Sequence, residues 1–173
     1  MKKSYFVCIL LFSYFFFSTS AFAATEATPL AFNNQISGNV RWTKQNSPYL
    51  VRQILAIPQG ASLTIDPGVI VKFDQNTGGI FSQGTLAVGS TLAEPVILTS
   101  LLDDAQGGVT RLPGQTEQPK ITGSIKGGIT LSSGTSTITN ARFFYFSSLA
   151  SQRAIIVSSG THTLHDLSFD FGQ

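Results

Sequence analysis

The chain has 173 residues, of which 42% are hydrophobic and 12% are charged, and its formal net charge is +2. This length and composition fit one globular domain and exclude a disordered, collagen-like or disulfide-built protein. The charged fraction is about half of the roughly 25% that is usual, which excludes a highly charged nucleic-acid-binding protein.

The N-terminal segment, residues 1–23, has the pattern of a secretory signal peptide. Lys2 and Lys3 precede an apolar run over residues 5–17, and a site of small residues ends at Ala23. The apolar run is too short for a membrane-spanning helix, which needs roughly 20 residues. We therefore expect cleavage after Ala23 and export through the secretory pathway, to the extracellular medium, the cell surface or a periplasm.

Removal of residues 1–23 changes the charge and the cysteine content. The eleven basic residues lose Lys2 and Lys3 and become nine, which equals the nine acidic residues. Cys8, the single cysteine, leaves with the signal peptide. We therefore expect no disulfide, no nucleic-acid partner and no membrane span in the mature chain. A domain of about 150 residues buries about 68–70% of its unfolded surface, so we expect no metal or other cofactor either.

Short β-branched runs bounded by Gly, Pro, Asn and Asp recur along the mature chain, and helical periodicity is nearly absent. Most runs alternate apolar and polar residues, which predicts that Ile65 faces inward while Thr64 and Lys72 face outward. The predicted strands are Gln53–Ile57, Ser62–Ile65, Val69–Phe73, Thr85–Val88, Val96–Thr99, Ile129–Ser132, Thr137–Thr139, Phe143–Phe146 and Ala154–Ser158.

The sequence also repeats with a period of about two dozen residues. Residues 129–138 (ITLSSGTSTI) match residues 155–164 (IIVSSGTHTL) at a shift of 26, and residues 63 and 65 match residues 86 and 88 at a shift of 23. A fixed period predicts a solenoid with three short strands in each turn, although chance similarity between Ser/Thr-rich segments is the alternative. Stacking of successive turns then predicts three pairs: Phe143 on Phe169, Ile138 on Leu164, and Asn140 on Asp166 at a bend.

Residues 60–73 (GASLTIDPGVIVKF), 84–89 (GTLAVG) and 94–100 (EPVILTS) resemble the opening turns of exported bacterial parallel β-helix proteins with the pectin-lyase-like fold. Residues 36–42 and 47–50 resemble the strand and cap with which those proteins begin. The resemblance implies an all-β, right-handed, single-stranded parallel β-helix of about five turns over residues 36–173, with an N-terminal cap and an N-terminal extension at 24–35. It does not specify an activity, because the same opening occurs in adhesins and repeat-containing surface proteins.

Asp103 and Asp104 are adjacent acidic residues in a loop. Clustered acids serve glycosidases and calcium-dependent lyases. Adjacent carboxylates in a loop are more often a solvated turn, and no second acidic cluster is evident in the sequence. We therefore assign no catalytic, cofactor-binding or metal residue here.

Other candidate residues also favour structural roles. His162 and His165 are three residues apart, so they point to opposite faces of an extended strand, which argues against a metal site. The threonine rows 135/137/139 and 161/163 are too short for an ice-binding surface, and Thr is common on exposed strand faces. Trp42 and Tyr49 could stack on a carbohydrate, but they fit better as a shield over the first turn.

Residues 101–120 are too polar and too rich in Gly and Pro for a strand, so we predict an inserted loop. Loops on a rigid scaffold often carry binding, and residues 103–117 are therefore the expected contact region if a partner exists. Two charged residues in this region, Arg111 and Glu117, are too few to indicate what kind of partner binds.

These observations favour a noncatalytic secreted or cell-surface module with a structural, adhesive, glycan-binding or protein-binding role. The alternative is a polysaccharide lyase or glycoside hydrolase of the pectin-lyase-like fold.

The last residues, 167–173, still have the alternating pattern of a strand and contain no capping element. That ending fits a shortened family member, end-to-end docking on a second copy, or a plug formed by Phe169 and Phe171.

Overall fold

The computed structural model describes residues 25–26, 34–110, 116, 125–146 and 153–170. In these residues the chain is all-β, and the single helical element is a 3₁₀ turn at Lys44–Asn46. The strands are β1 (Thr25–Glu26), β2 (Asn39–Trp42), β3 (Tyr49–Val51), β4 (Ile54–Ile57), β5 (Ser62–Ile65), β6 (Ile70–Phe73), β7 (Gly79–Ser82), β8 (Thr85–Val88), β9 (Val96–Ser100), β10 (Ile129–Leu131), β11 (Thr135–Thr139), β12 (Ala141–Phe144), β13 (Ile155–Val157), β14 (Thr161–His165) and β15 (Ser168–Asp170).

The strands form three sheets, and each complete turn of the chain adds one strand to each sheet. Sheet 1 has the order β1-β3-β6-β9-β12-β15, sheet 2 has β4-β7-β10-β13, and sheet 3 has β2-β5-β8-β11-β14. All pairings between these strands are parallel. The fold is therefore a parallel β-solenoid, as the sequence predicts.

The solenoid has about four turns, fewer than the predicted five. The four complete turns run from β4 to β15, with three strands in each. The preceding turn is incomplete, because β2 and β3 supply strands to sheets 3 and 1 only, and sheet 2 receives an isolated bridge from Gln35 to Ala56. The handedness and the capping role of the first strands stay predictions.

The register confirms the sequence repeat. Ile138 pairs with Leu164 and Phe143 pairs with Phe169, both at the shift that the repeat predicts. The two phenylalanine rings stack with centroids 4.9 Å apart. Leu63 pairs with Leu86, as the earlier and slightly shorter repeat predicts.

The bend between sheets 3 and 1 is also as predicted. Asn140 and Asp166 occupy the same corner in successive turns, with φ angles of 50° and 56°. Asn and Asp adopt this left-handed conformation more readily than most residues, because their short side chains bond locally. Both residues lie at the edge of sheet 1, next to β12 and β15.

The apolar core is a column inside the three sheets. Inward residues of successive strands lie above one another and are almost fully buried, as the alternating pattern predicts. Representative members are Ile57, Leu63, Ile65, Val71, Phe73, Leu86, Val88, Leu98, Ile129, Leu131, Ile138 and Phe143.

Strand β7 was not predicted, because it begins with the second glycine of the pair Gly78-Gly79. The stacking of turns requires glycine at position 78, since a Cβ there would lie 2.4 Å from the carbonyl oxygen of Val51 in the preceding turn. Close backbone approach therefore explains glycines that otherwise read as a loop.

The predicted signal peptide lies outside the described residues, so its cleavage stays a prediction, as do the domain boundaries. Within the part of the chain that is described, no helix has the length and apolar character needed to cross a membrane.

The inward column predicts the effect of a buried charge. Ile65 is fully buried, and an aspartate there has no partner in an apolar interior, so we expect Ile65→Asp to abolish cooperative folding. Thr64→Asp, one residue away on the outward face, is the matched control and retains the fold. Thermal unfolding followed by circular dichroism compares the two. A soluble Ile65→Asp variant with a wild-type transition would contradict the inward assignment.

Candidate functional site

Residues 101–110 form an outer layer on sheet 1. Leu50, Lys72 and Thr99 are neighbours in register on the outward face of this sheet, yet each is at most 5% exposed. Leu101 and Leu102 are also buried. Lys72 thus faces outward as the alternation predicts, but the chain folds back and covers it.

Hydrogen bonds of Lys72 and Asp103 join this layer to sheet 1. The Nζ group of Lys72 donates to the carbonyl oxygens of Asp103 and Gly108, at 2.7 and 2.6 Å. The carboxylate of Asp103 accepts hydrogen bonds from Thr99 Oγ1 at 2.6 Å and from the Ala105 amide at 3.1 Å. Asp103 is only 4% exposed, so the expectation of a solvated turn is wrong for this residue.

The network makes Asp103 a structural residue that holds residues 101–110 to the sheet. Arg111 and Glu117, the other residues considered in the expected contact region, lie outside the described residues. Among the residues that are described, no group of three or more His, Cys, Asp or Glu is arranged to hold a metal ion.

Removal of the buried ammonium should loosen the outer layer. We expect Lys72→Met to lower the free energy of unfolding by about 1–3 kcal/mol, because two carbonyl groups lose a charged donor. Proteolysis within residues 103–108 should also become faster. Lys44→Met is the control: Lys44 pairs with Glu94 at the surface, and exposed ion pairs contribute about 0–1 kcal/mol. Equal effects of both variants in urea unfolding would contradict the proposed role of Lys72.

The two histidines point to opposite faces of β14, as predicted. His165 is exposed, and its Nδ1 lies 2.7 Å from Asp166 Oδ2. His162 is half-buried and lies in register with Ser136 of the preceding turn. The strand therefore separates the pair, which removes the basis for a shared metal site.

Ser136 and His162 are brought together by the fold, although the sequence suggested no Ser-His arrangement. Ser136 is 1% exposed, and neither its Oγ nor His162 Nδ1 has a hydrogen-bond partner among the described residues. The sequence repeat that aligns β11 with β14 could have found this pair. Ser136 lies in the same inward column as Leu86, so its hydroxyl is buried inside the solenoid.

The aromatic pair Trp42 and Tyr49 is also buried. The rings stack with centroids 4.7 Å apart, and the residues are 1% and 4% exposed. Tyr49 Oη accepts a hydrogen bond from the Thr43 amide. These rings therefore belong to the core and are not available for stacking on a carbohydrate.

The threonine rows stack as predicted but form a small surface. Thr135 and Thr137 pair with Thr161 and Thr163 of the next turn. On the other side, Thr135 lies over Thr85 but Thr137 lies over Ala87, so only one of the two columns continues as threonine into that turn.

A groove of about 440 Å³ opens on the outer side of sheet 1, beside the corner with sheet 3. Its floor comes from outward residues of β12 and β15, and its wall comes from the loop at residues 89–95. The lining residues are Leu92, Pro95, Asn140, Arg142, Phe144, Asp166, Ser168, Phe169 and Asp170. We call this feature the corner groove.

The wall of the corner groove is anchored at both ends. Near its start, the Asn140 side-chain amide donates to the Ser90 carbonyl oxygen at 3.1 Å, and Ser90 Oγ donates to the Thr139 carbonyl oxygen. Near its end, Glu94 accepts a hydrogen bond from the Gly68 amide through its carbonyl oxygen and pairs with Lys44 through its carboxylate. Leu92 lies between these anchors and is 83% exposed, so a held loop presents an apolar side chain at the groove.

The floor combines the aromatic rings of Phe144 and Phe169 with charged groups. Arg142 is in register with Ser168, and Phe144 is in register with Asp170. These four outward residues form two neighbouring pairs on the floor of the groove. Asp166 lies at the bend two residues before β15, and Asp170 is the last residue of that strand. At about 3.3 Å per residue their Cα atoms are up to about 13 Å apart.

The pKa of Tyr145 depends on negative charge at the far end of the groove. Burial raises the pKa of this phenol above its ordinary value, and the carboxylates of Asp103 and Asp170 raise it further. The negative charges lie close enough to disfavour a phenolate.

The raised pKa of Tyr145 predicts how the stability of the fold changes in alkaline solution. Because the folded-state pKa is raised, the folded state holds this proton more tightly, and its contribution to stability is present below about pH 10 and is lost as the pH rises through the folded value. Asp170→Asn should lower the pKa of Tyr145 towards its ordinary value. Tyrosinate absorbance against pH, with Tyr145→Phe to identify the signal, measures it. An unchanged titration in Asp170→Asn would contradict the assigned cause.

Asn140, Asp166 and Phe169 were predicted to stack on residues of the neighbouring turn, but no residue was assigned to a groove from the sequence. The repeat predicts that Phe143 and Phe169 face inward, so Arg142, Phe144, Ser168 and Asp170 could have been placed on the outer face. The loop that forms the wall shows no such signal, because its position depends on contacts with the following turn.

The chain matches no protein-family model, no curated protein and no solved structure. The resemblance to pectin-lyase-like proteins is therefore supported here at the level of a parallel β-solenoid only.

Proposed function

We propose that this chain is a noncatalytic, exported β-solenoid module that binds an oligosaccharide in the corner groove. The observation that carries the proposal is the groove itself, where Phe144 and Leu92 lie beside Arg142, Asn140 and Asp170 on a rigid outer surface. The predicted signal peptide supports export, and the resemblance to surface β-helix proteins supports a secreted or cell-surface location.

The chemistry of the lining suits a sugar. A pyranose ring has an apolar C–H face and a rim of hydroxyl groups, so its binding site needs apolar surface beside planar hydrogen-bonding groups. Phe144 supplies the first, and the guanidinium, amide and carboxylate groups supply the second. The volume of about 440 Å³ lies within the roughly 300–1,000 Å³ of small-ligand sites.

The hydrogen bonding of Asp166 favours binding without hydrolysis. Glycosidases hold two carboxyl groups about 5–10 Å apart across the scissile bond. Asp166 and Asp170 are the acidic residues of the described groove lining, and their Cα atoms are at most about 13 Å apart. Asp166 also lies against His165, which engages one of its oxygens.

The alternative is a polysaccharide lyase or hydrolase that uses the same groove. The observation in its favour is Arg142, a basic group that lines the groove together with two carboxylates. Release of unsaturated or reducing ends from pectin, alginate or glycosaminoglycans would establish this alternative and overturn the noncatalytic proposal.

Binding through the groove depends on the Phe144 ring. We expect a glycan array to identify oligosaccharide ligands, and Phe144→Ala to weaken their binding at least about tenfold in calorimetry, since a buried aromatic contact is lost. Phe81→Ala is the matched control, because Phe81 is likewise outward and half-buried, but on sheet 2. Oligosaccharide binding that both variants retain, or no binding at all, would contradict the proposal.

A further inference from the structure

The corner groove has an apolar contact at each of its two ends. Asn140 lies at the corner, and Phe144, the last residue of β12, lies four residues further along the groove. At about 3.3 Å per residue, these two positions are about 13 Å apart. Leu92 belongs to the corner end, because its loop is hydrogen-bonded there to Asn140 and to Gly68, which is level with Asn140 in the register of sheet 1.

The Leu92 side chain is held in place by a closed turn. The Glu94 amide donates to the carbonyl oxygen of Thr91 at 3.2 Å and to its Oγ1 at 3.1 Å, and the Thr91 amide donates to the Glu94 carbonyl oxygen at 3.4 Å. Leu92 lies within this turn and is 83% exposed. Because the turn is already ordered, a ligand that contacts Leu92 loses little free energy in ordering the loop.

The floor between the two ends follows paired strands and is therefore extended. Arg142 and Ser168, which are in register with each other, supply polar groups in its middle. A single pyranose ring is shorter than the distance between the ends, so one sugar cannot contact both Leu92 and Phe144. A ligand that contacts both is a chain of sugars that lies parallel to β12.

We infer that the corner groove binds an extended β-1,4-linked chain of gluco-configured pyranoses, with separate rings on Leu92 and Phe144. This inference rests on the proposed function. Equatorial β-1,4 bonds give a straight ribbon in which successive rings are turned over, so contacts along the ribbon meet both faces of the sugar. A pyranose whose substituents are all equatorial, such as glucose or N-acetylglucosamine, has apolar C–H groups on both faces. An axial hydroxyl, as in mannose, makes one face polar.

Four uncharged probes test this ligand class with the purified protein: cellotetraose and three controls that each change one property. β-1,4-Mannotetraose keeps the ribbon but has axial hydroxyls, maltotetraose keeps the glucose units but has a curved α-1,4-linked chain, and cellobiose is too short to reach both ends. We expect calorimetry to show cellotetraose bound at least about tenfold more tightly than each control, because each control loses one apolar contact.

The Leu92→Ser variant tests the contact at the corner end. With only the Phe144 contact left, this variant should bind cellotetraose and cellobiose about equally. The turn itself is kept, since its hydrogen bonds come from Thr91 and Glu94. Ile54→Ser is the matched control and should keep the tenfold ratio, because Ile54 is 61% exposed on β4 of sheet 2, outside the groove.

The outcomes separate the inference from the proposed function. Equal binding of cellotetraose and any of its three controls, or a wild-type ratio in Leu92→Ser, would overturn the inference while groove binding stands. Binding of a different oligosaccharide through Phe144, without binding of cellotetraose, would do the same. A glycan array without ligands, together with failure of all four probes to bind, would overturn both.

Discussion

The parallel register between successive turns is the constraint on which the whole structure depends. Each strand hydrogen-bonds with the strand one turn earlier, so residues at equivalent positions stack above one another in columns. Inside, this places Phe143 on Phe169 and Ile138 on Leu164. The same register aligns the outward residues, so the core and the corner groove have a common origin.

The register also explains why glycine and asparagine occur where they do. Successive turns approach most closely at the corners, where a Cβ on Gly127 would collide with the carbonyl oxygen of Gly78. At the corner beside sheet 1, Asn140 and Asp166 take left-handed backbone conformations, and both residues line the corner groove. A requirement of the backbone thus places two polar groups at the groove.

The chain between β9 and β10 departs from this regular pattern. Ile80 pairs with Ile129, and Ile129 pairs with Ile155, so the turn from β7 to β10 contains nearly twice as much chain as the turn that follows it. Part of the extra chain, residues 101–110, covers the outer face of sheet 1 and buries Lys72. The covered part of this sheet is closed to ligands, while the part over β12 and β15 remains open as the corner groove.

The sequence by itself determined the solenoid, because the repeat between residues 129–138 and 155–164 and the alternation of apolar residues are local patterns that the register must follow. It predicted the inward column and the bend at Asn140, but it missed β7, whose glycines read as a loop. Only the tertiary structure decided the environment of side chains on the outer face. Alternation places Lys72 and Phe144 on the same outward side of sheet 1, yet one is buried under residues 101–110 and the other lines a groove. That difference depends on where distant loops fold back across the sheet. Asp103 entered a buried network for the same reason, since its partners Thr99 and Lys72 meet it only once the outer layer has formed.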